Sequence, residues 1–230
     1  MEIAIVQGID QAGAKAGVNV VIDVIRAFTV AQVAFARGAR AIKLVPDVAS
    51  AIALRSLMPD ALLAGEVRGL PIDGFDLDNS PVVMSQADVS SRTLIQMTTN
   101  GVKGALQALQ AQHVLVTGYA SAVQTARYIQ RILPELEDPL IRLIATHPSS
   151  DDDLACAEYI RGILLGTSQP TASETEERIL TSEVAKKFFD PAQPAFDQRD
   201  IAWCARQSDD PFVMCVSMRQ GIPTVERVEL

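Results

Sequence analysis

The sequence predicts an α/β protein with mostly parallel sheets flanked by helices, arranged as two lobes around a shared cleft. Two observations carry this. Continuous β-branched runs alternate with segments of helical period, which is how strands buried on both faces of a parallel sheet read. Past Gly166 the character changes: a polar stretch at residues 167–173 leads into a charged helix and two late strands. The expected division is therefore an α/β lobe at 1–130 and a second lobe or cap at 131–230.

Taken in order, MEIAIVQG reads as a first strand, followed by strands at 18–24, 41–45, 61–64, 94–98, 113–117 and 140–145. Most lack polar alternation. Between them, helices are expected at 28–37, 48–57, 102–110, 122–133 and 153–165. In the third of these, Val102, Ala105, Leu106 and Leu109 follow the i, i+3, i+4, i+7 spacing of one apolar face. The charged helix carries a capping box in Ser173 and Glu176, and its apolar stripe of Leu180, Val184 and Phe188 is read as structural. Late strands are expected at 211–217 and 224–228. The longest segment without either period, 65–81 (GEVRGLPIDGFDLDNSP), has apolar anchors in Leu70, Ile72, Phe75 and Leu77 and reads as a functional loop.

Composition narrows the function. A formal charge of −8 with 20 basic residues gives no broad cationic surface for nucleic acid or anionic lipid. Cys156, Cys204 and Cys215 are too scattered for a disulfide framework or a zinc site, which fits a reducing cytoplasm. The N-terminal residues lack the pattern of an export signal, and no apolar run reaches the length of a membrane span. A small-molecule partner is expected, and assembly into a homo-oligomer is left open.

Three strand ends carry candidate chemistry. Asp23 and Arg26 follow the apolar run VNVVI, at the end where open α/β sheets bind ligands. They read either as holders of a metal cation and an anionic oxygen or as a local salt bridge capping the next helix. Thr98, Thr99, Asn100 and Gly101 open an amphipathic helix with Lys103 in its first turn, either as a phosphate cradle of free N–H groups or as an ordinary cap on Asn100. Asp151, Asp152 and Asp153 follow the strand LIRLIA, where a cation or the helix dipole relieves their repulsion. His147 beside them is either a site residue or a hydrogen-bonded structural one. Brought to one edge, Asp23, Glu66, Asp73, Asp76, Asp152 and Asp153 would face Arg26, Arg68 and Lys103. Oxygen ligands without sulfur select magnesium, calcium or manganese over zinc, and phosphate-ester chemistry follows.

The segments VVIDVIRAFT, GEVRGLPIDGFDLDNSP, TTNG and DDDLACAEYI together resemble the 2-phosphosulfolactate phosphatase family. Weaker likeness continues through Asp200-Ile201-Ala202-Trp203-Cys204. The resemblance implies a two-lobed, magnesium-dependent phosphatase that releases phosphate from a small phosphorylated hydroxy acid, 2-phosphosulfolactate, on the route to coenzyme M. The implied catalytic residues are Asp23, Arg26, Glu66 and Asp76. Substrate contacts fall to Arg26, Arg68, Asn79, Thr98, Thr99, Asn100, Gly101 and Lys103. Charge assigns the Mg2+ ligands to Asp23, Glu66, Asp152 and Asp153.

The chain departs from the family's usual Glu-Arg-Gly-Gly by reading Glu66-Val67-Arg68-Gly69, has Asp78 where glycine is frequent, and has Val102 where threonine is usual. Moving the guanidinium by one position predicts a redirected fork, poor hydrolysis of 2-phosphosulfolactate, and a gain on exchanging Val67-Arg68 for Arg-Gly. Other phosphatase chemistries fit less well. Ile25 stands where a haloacid-dehalogenase-type enzyme needs its second Asp, and Cys156 and Arg161 have the wrong spacing for a cysteine phosphatase. The alternative from another class is a noncatalytic anion- or metabolite-binding protein on the same scaffold.

Overall fold

The computed structural model describes residues 1–10, 12–167 and 169–230, so Ser168 of the predicted polar stretch lies outside the described residues. In chain order the strands are β1 (Glu2–Gln7), β2 (Ala16–Ile22), β3 (Ala41–Leu44), β4 (Leu62–Val67), β5 (Leu70–Pro71), β6 (Thr93–Met97), β7 (Ala111–Thr117), β8 (Leu140–Ala145), β9 (Phe212–Arg219) and β10 (Ile222–Glu229). The helices are α1 (Ala27–Ala36), α2 (Val48–Leu57), α3 (Pro81–Gln86), α4 (Gly101–Gln107), α5 (Ala122–Ile132), α6 (Asp151–Leu165), α7 (Ala172–Thr181), α8 (Glu183–Lys186) and α9 (Gln198–Cys204).

Among the described residues the strands form one sheet in the order β1-β8-β2-β7-β9-β10-β3-β6-β4-β5. Two parallel blocks, β1-β8-β2-β7 and β3-β6-β4, are joined by the antiparallel hairpin β9–β10. The α/β class is therefore as expected. The two-lobe arrangement is not shown by this sheet, since β8 from beyond residue 130 pairs between β1 and β2.

Local sequence explains the elements that carry the site. Every residue of β2, AGVNVVI, is buried, as a strand covered on both faces must be. In α1, the residues from Ala27 to Phe35 are all buried, the hydrogen-bonded Thr29 and Gln32 included, so the helix presents almost no solvent face. Its Phe28 and Phe35 join Val21, Val116, Leu94 and Met214 in the larger core. The five steps from β2 to β6 turn the strand direction by roughly 100–125°, at about 20–25° per strand. That rotation lets the carboxyl ends of two oppositely running blocks reach one region.

Two local readings are corrected. The capping box belongs to Thr171 and Glu174, not Ser173 and Glu176; both pairs satisfy the Ser/Thr-x-x-Glu pattern, and the actual helix starts at Ala172. The charged helix also ends at Thr181, because the Ser182 side chain accepts from Ala185 N–H and opens α8 afresh. The 65–81 segment contains the β4–β5 hairpin, whose two-residue turn is Arg68-Gly69, both at positive φ (54° and 84°). These angles fit a type I′ turn, the form that matches strand twist.

Candidate active site

A pocket of about 200 Å³ lies where β2, β4, β6 and β8 end, closed on its far side by residues after α8. Asp23 leaves β2 and stays buried, with its Oδ1 accepting the Ala27 N–H at 2.9 Å. Its other oxygen rests on Gly101, where a Cβ would stand 2.6 Å from Oδ2 and 2.8 Å from the Ala27 methyl. Only glycine allows that approach. Burial pushes Asp23 up to about 7, and the charges of Asp152 and Glu66 add to the rise.

Arg26 is 5% exposed and turned inward. Its Nη1 donates to Asp200 Oδ2 at 2.7 Å, its Nη2 to the Gly69 carbonyl at 3.0 Å, and its guanidinium lies 4.9 Å from the Phe188 ring centre. Asp200 is fully buried and also accepts from the Ser80 hydroxyl at 2.6 Å and Val82 N–H at 3.2 Å. Thus α9 and the start of α3 fix the guanidinium, and the Asp23/Arg26 motif is more than a local cap.

Glu66, buried at the end of β4, accepts from Thr99 N–H at 2.5 Å, from the Thr99 hydroxyl at 3.0 Å and from Gly69 N–H. Those bonds, with Arg68 N–H to Thr99 Oγ1 at 2.8 Å, tie the hairpin turn to the end of β6. The backbone cradle expected at Thr98–Gly101 is therefore largely spoken for. Thr99 N–H serves Glu66, Gly101 N–H serves Asp23, and Val102 N–H is taken by Thr98 Oγ1 at 2.9 Å. Asn100 and Thr99 still line the pocket, while buried Thr98 braces α4.

Asp153 accepts from Val24 N–H at 2.7 Å, His147 N–H at 2.9 Å and the Thr146 hydroxyl at 3.1 Å, and so splices the ends of β2 and β8. Asp152 accepts from the Ser150 hydroxyl at 2.5 Å. Burial raises both carboxyls, Asp153 well above its usual range. His147 lines the pocket and accepts two N–H bonds on Nδ1, from Ser149 at 3.3 Å and Ser150 at 2.9 Å, which leaves its proton on Nε2. Asn79 also lines the pocket, with a buried Oδ1 that has no hydrogen-bond partner among the described residues.

Of the sequence-selected residues, Asp23, Arg26, Glu66, Arg68, Asn79, Thr99 and Asn100 meet at this pocket, with Gly101, Thr98, Asp152 and Asp153 packed behind them. Asp76 and Lys103 do not. Asp76 bonds Arg55 at 2.6 Å and Leu63 N–H at 2.8 Å away from the pocket; Lys103 is exposed on α4. Arg68 lines the pocket from the turn, and both it and its neighbour Val67 are exposed. Sequence reasoning missed Asp200, Lys187 and Phe188, the last assigned to a structural stripe. The likeness running through Asp200-Ile201-Ala202 was the only signal that pointed there.

The donor set can be tested against magnesium. Among the described residues no group of three or more His, Cys, Asp and Glu is arranged to hold a metal by itself. Magnesium does not require one, since it commonly takes one or two carboxylates and completes its shell with water and substrate phosphate oxygens. Asp23 and Glu66 are the carboxylates that line the pocket, and their mutual repulsion is what a cation relieves.

A pocket pairing buried carboxylates with arginine and lysine, at the strand ends of an α/β sheet, defines an enzyme site for a small anionic substrate. A family model described as 2-phosphosulpholactate phosphatase matches residues 3–218. The chain belongs to this family of phosphoric monoester hydrolases. It is 50% identical over 228 residues to a probable 2-phosphosulfolactate phosphatase of Bacillus subtilis (strain 168), covering 99% of each chain. It is 40% identical over 216 residues to one of Thermus thermophilus, covering 90% of this chain and 87% of the other. A third, of Symbiobacterium thermophilum, is 35% identical over 176 residues, covering 75% and 72%.

Proposed function

We propose that the protein hydrolyses 2-phosphosulfolactate to 3-sulfolactate and phosphate, with magnesium, as a step of the coenzyme M type in the cytoplasm. The observation that supports it best is that one pocket brings the carboxylates Asp23 and Glu66 together with the cations Arg26, Arg68 and Lys187. Asp23 and Glu66 would hold magnesium, which supplies Lewis-acid stabilisation of charge developing on the phosphoryl oxygens.

The chain's own groups do the rest. Arg26, held by Asp200 and the Gly69 carbonyl, keeps further N–H donors for the phosphoryl oxygens, in a geometry set before substrate arrives. The Nε2 proton of His147 is a neutral donor on the same lining. Asn79 adds an uncharged amide to the same lining. The loose transition state of phosphoryl transfer asks mainly for such positioning and charge stabilisation.

Phosphate release from 2-phosphosulfolactate, followed with magnesium and again with a chelator, tests this reading. Turnover that stops on chelation and returns with magnesium is expected. Binding of 3-sulfolactate with no turnover under either condition would instead select the noncatalytic alternative.

A further inference from the structure

Lys187 and Arg68 are the cations of this pocket that form no ion pair among the described residues. Arg26 is neutralised at 2.7 Å by Asp200, and the adjacent Lys186 pairs with Glu183 at 2.6 Å. The ammonium of Lys187 has neither an ion pair nor a hydrogen bond with a described residue, although the residue is half-buried. Its ammonium stands 4.4 Å from the Phe196 ring centre and 5.6 Å from that of Phe188, which are themselves packed edge to face at 5.2 Å. Two aromatic faces hold the cation while offering it no counter-charge. Burial, and then Arg26, push its pKa down against the opposing charges of Glu66, Asp152 and Asp23.

The turn has been shaped around it. Gly69, at φ 84°, lies so close that a Cβ would stand 3.1 Å from Lys187 Nζ and 2.9 Å from the Phe196 ring. The same turn presents Arg68 to the pocket. Arg68 and Lys187 thus both line the pocket at this turn.

We infer that Lys187, with Arg68, is the subsite for the substrate's second acidic group, a sulfonate or carboxylate, and makes the enzyme selective for phosphorylated acids over neutral phosphomonoesters. This rests on the phosphatase reading. A phosphate held at Arg26 leaves the remainder of a three-carbon acid facing the turn and Lys187. An acidic group there completes a charge pair in partly desolvated surroundings. A hydroxyl does not.

The test compares wild type, Lys187→Met and Lys187→Arg on 2-phosphosulfolactate, 2-phospholactate and glycerol 2-phosphate, together with calorimetry of 3-sulfolactate binding. Lys187→Met is expected to lower kcat/KM for 2-phosphosulfolactate by about 10–100-fold, mostly through KM, as removal of one charged hydrogen-bond donor does. Glycerol 2-phosphate, which has no second acid, should change less than about threefold on the same grounds. Lys187→Arg should keep most of the activity, and the melting temperature of Lys187→Met should not fall. Retained loss on 2-phospholactate assigns the subsite to the carboxylate, and its absence assigns it to the sulfonate. Equal losses on the acidic and neutral esters, or no loss on either, would overturn the inference. If wild type hydrolyses none of the three, the phosphatase reading fails by itself. Calorimetry then still decides the subsite, through about tenfold weaker 3-sulfolactate binding by Lys187→Met or an unchanged affinity that refutes it.

Discussion

Asp23→Asn should stabilise the metal-free protein at alkaline pH while removing its activity. In the unfolded chain Asp23 loses its proton near 3.8, and in the folded protein near about 7, raised by burial and by Asp152 and Glu66. Between those values the unfolded state binds fewer protons, so stability falls as pH rises, and the whole loss is present above about 7. At about 1.36 kcal/mol per pH unit this amounts to about 4 kcal/mol. Asparagine escapes it but returns about 1 kcal/mol, because an amide cannot accept from both Ala27 and Gly101 N–H. The net gain is about 3 kcal/mol at pH 8, or roughly 6–12 °C in Tm for a chain of this size. At pH 5 it shrinks to within about 1 kcal/mol, since Asp23 is then largely protonated in the folded state. Urea unfolding of both proteins in chelator at the two pH values measures it. A difference that does not change between pH 5 and pH 8 would refute the view that Asp23 is held as a costly carboxylate.

Other outcomes follow from the same geometry. Magnesium affinity, measured by calorimetry, should rise with pH and level off above about 7, because the cation must displace the proton that Asp23 retains; a flat profile would remove Asp23 from the metal site. Gly101→Ala places a methyl 2.6 Å from Asp23 Oδ2, so kcat should drop by about 100-fold, as a displacement near 1 Å does, which steady-state assays would show. Exchanging Val67-Arg68 for Arg-Gly moves the guanidinium to the exposed face opposite Glu66 on β4. We expect kcat/KM to fall about tenfold once the guanidinium no longer faces the pocket; a gain in the same assay would restore the expectation drawn from the loop's departure alone.

The elements that bear the site were the easiest to read, for a physical reason. β2, β6 and β8 are largely buried, so their sequences are mostly apolar, interrupted by Asn19 in β2, Thr93 and Gln96 in β6 and Arg142 in β8, and the polar residues that follow each run mark its carboxyl end. Asp23, Thr99 and His147 stand out for that reason. Residues whose role depends on distant partners were not legible. Asp200 looks like any acidic residue in a first helical turn, and only the fold sets it against Arg26, 174 positions earlier. Lys187 and Phe188 continue an amphipathic pattern, which hides the break at Ser182 that swings them into the pocket. Asp76 shows the converse: a carboxylate in a loop of special composition whose charge is claimed by Arg55. The Arg68-Gly69 turn escaped notice because a non-glycine residue at φ 54° is uncommon and arginine does not announce it.

The hairpin β9–β10 that joins the two parallel blocks has a bearing on biogenesis. It is contributed by residues 212–229, yet it covers the edges of β7 and β3, both complete more than 90 residues earlier in synthesis. During translation these two strands are open borders, each able to recruit a neighbouring chain. Asp200 and Lys187 also emerge late. A ribosome-bound chain therefore carries a half-assembled pocket beside two sticky edges, and the hairpin's arrival seals the sheet soon after the pocket receives its last charges.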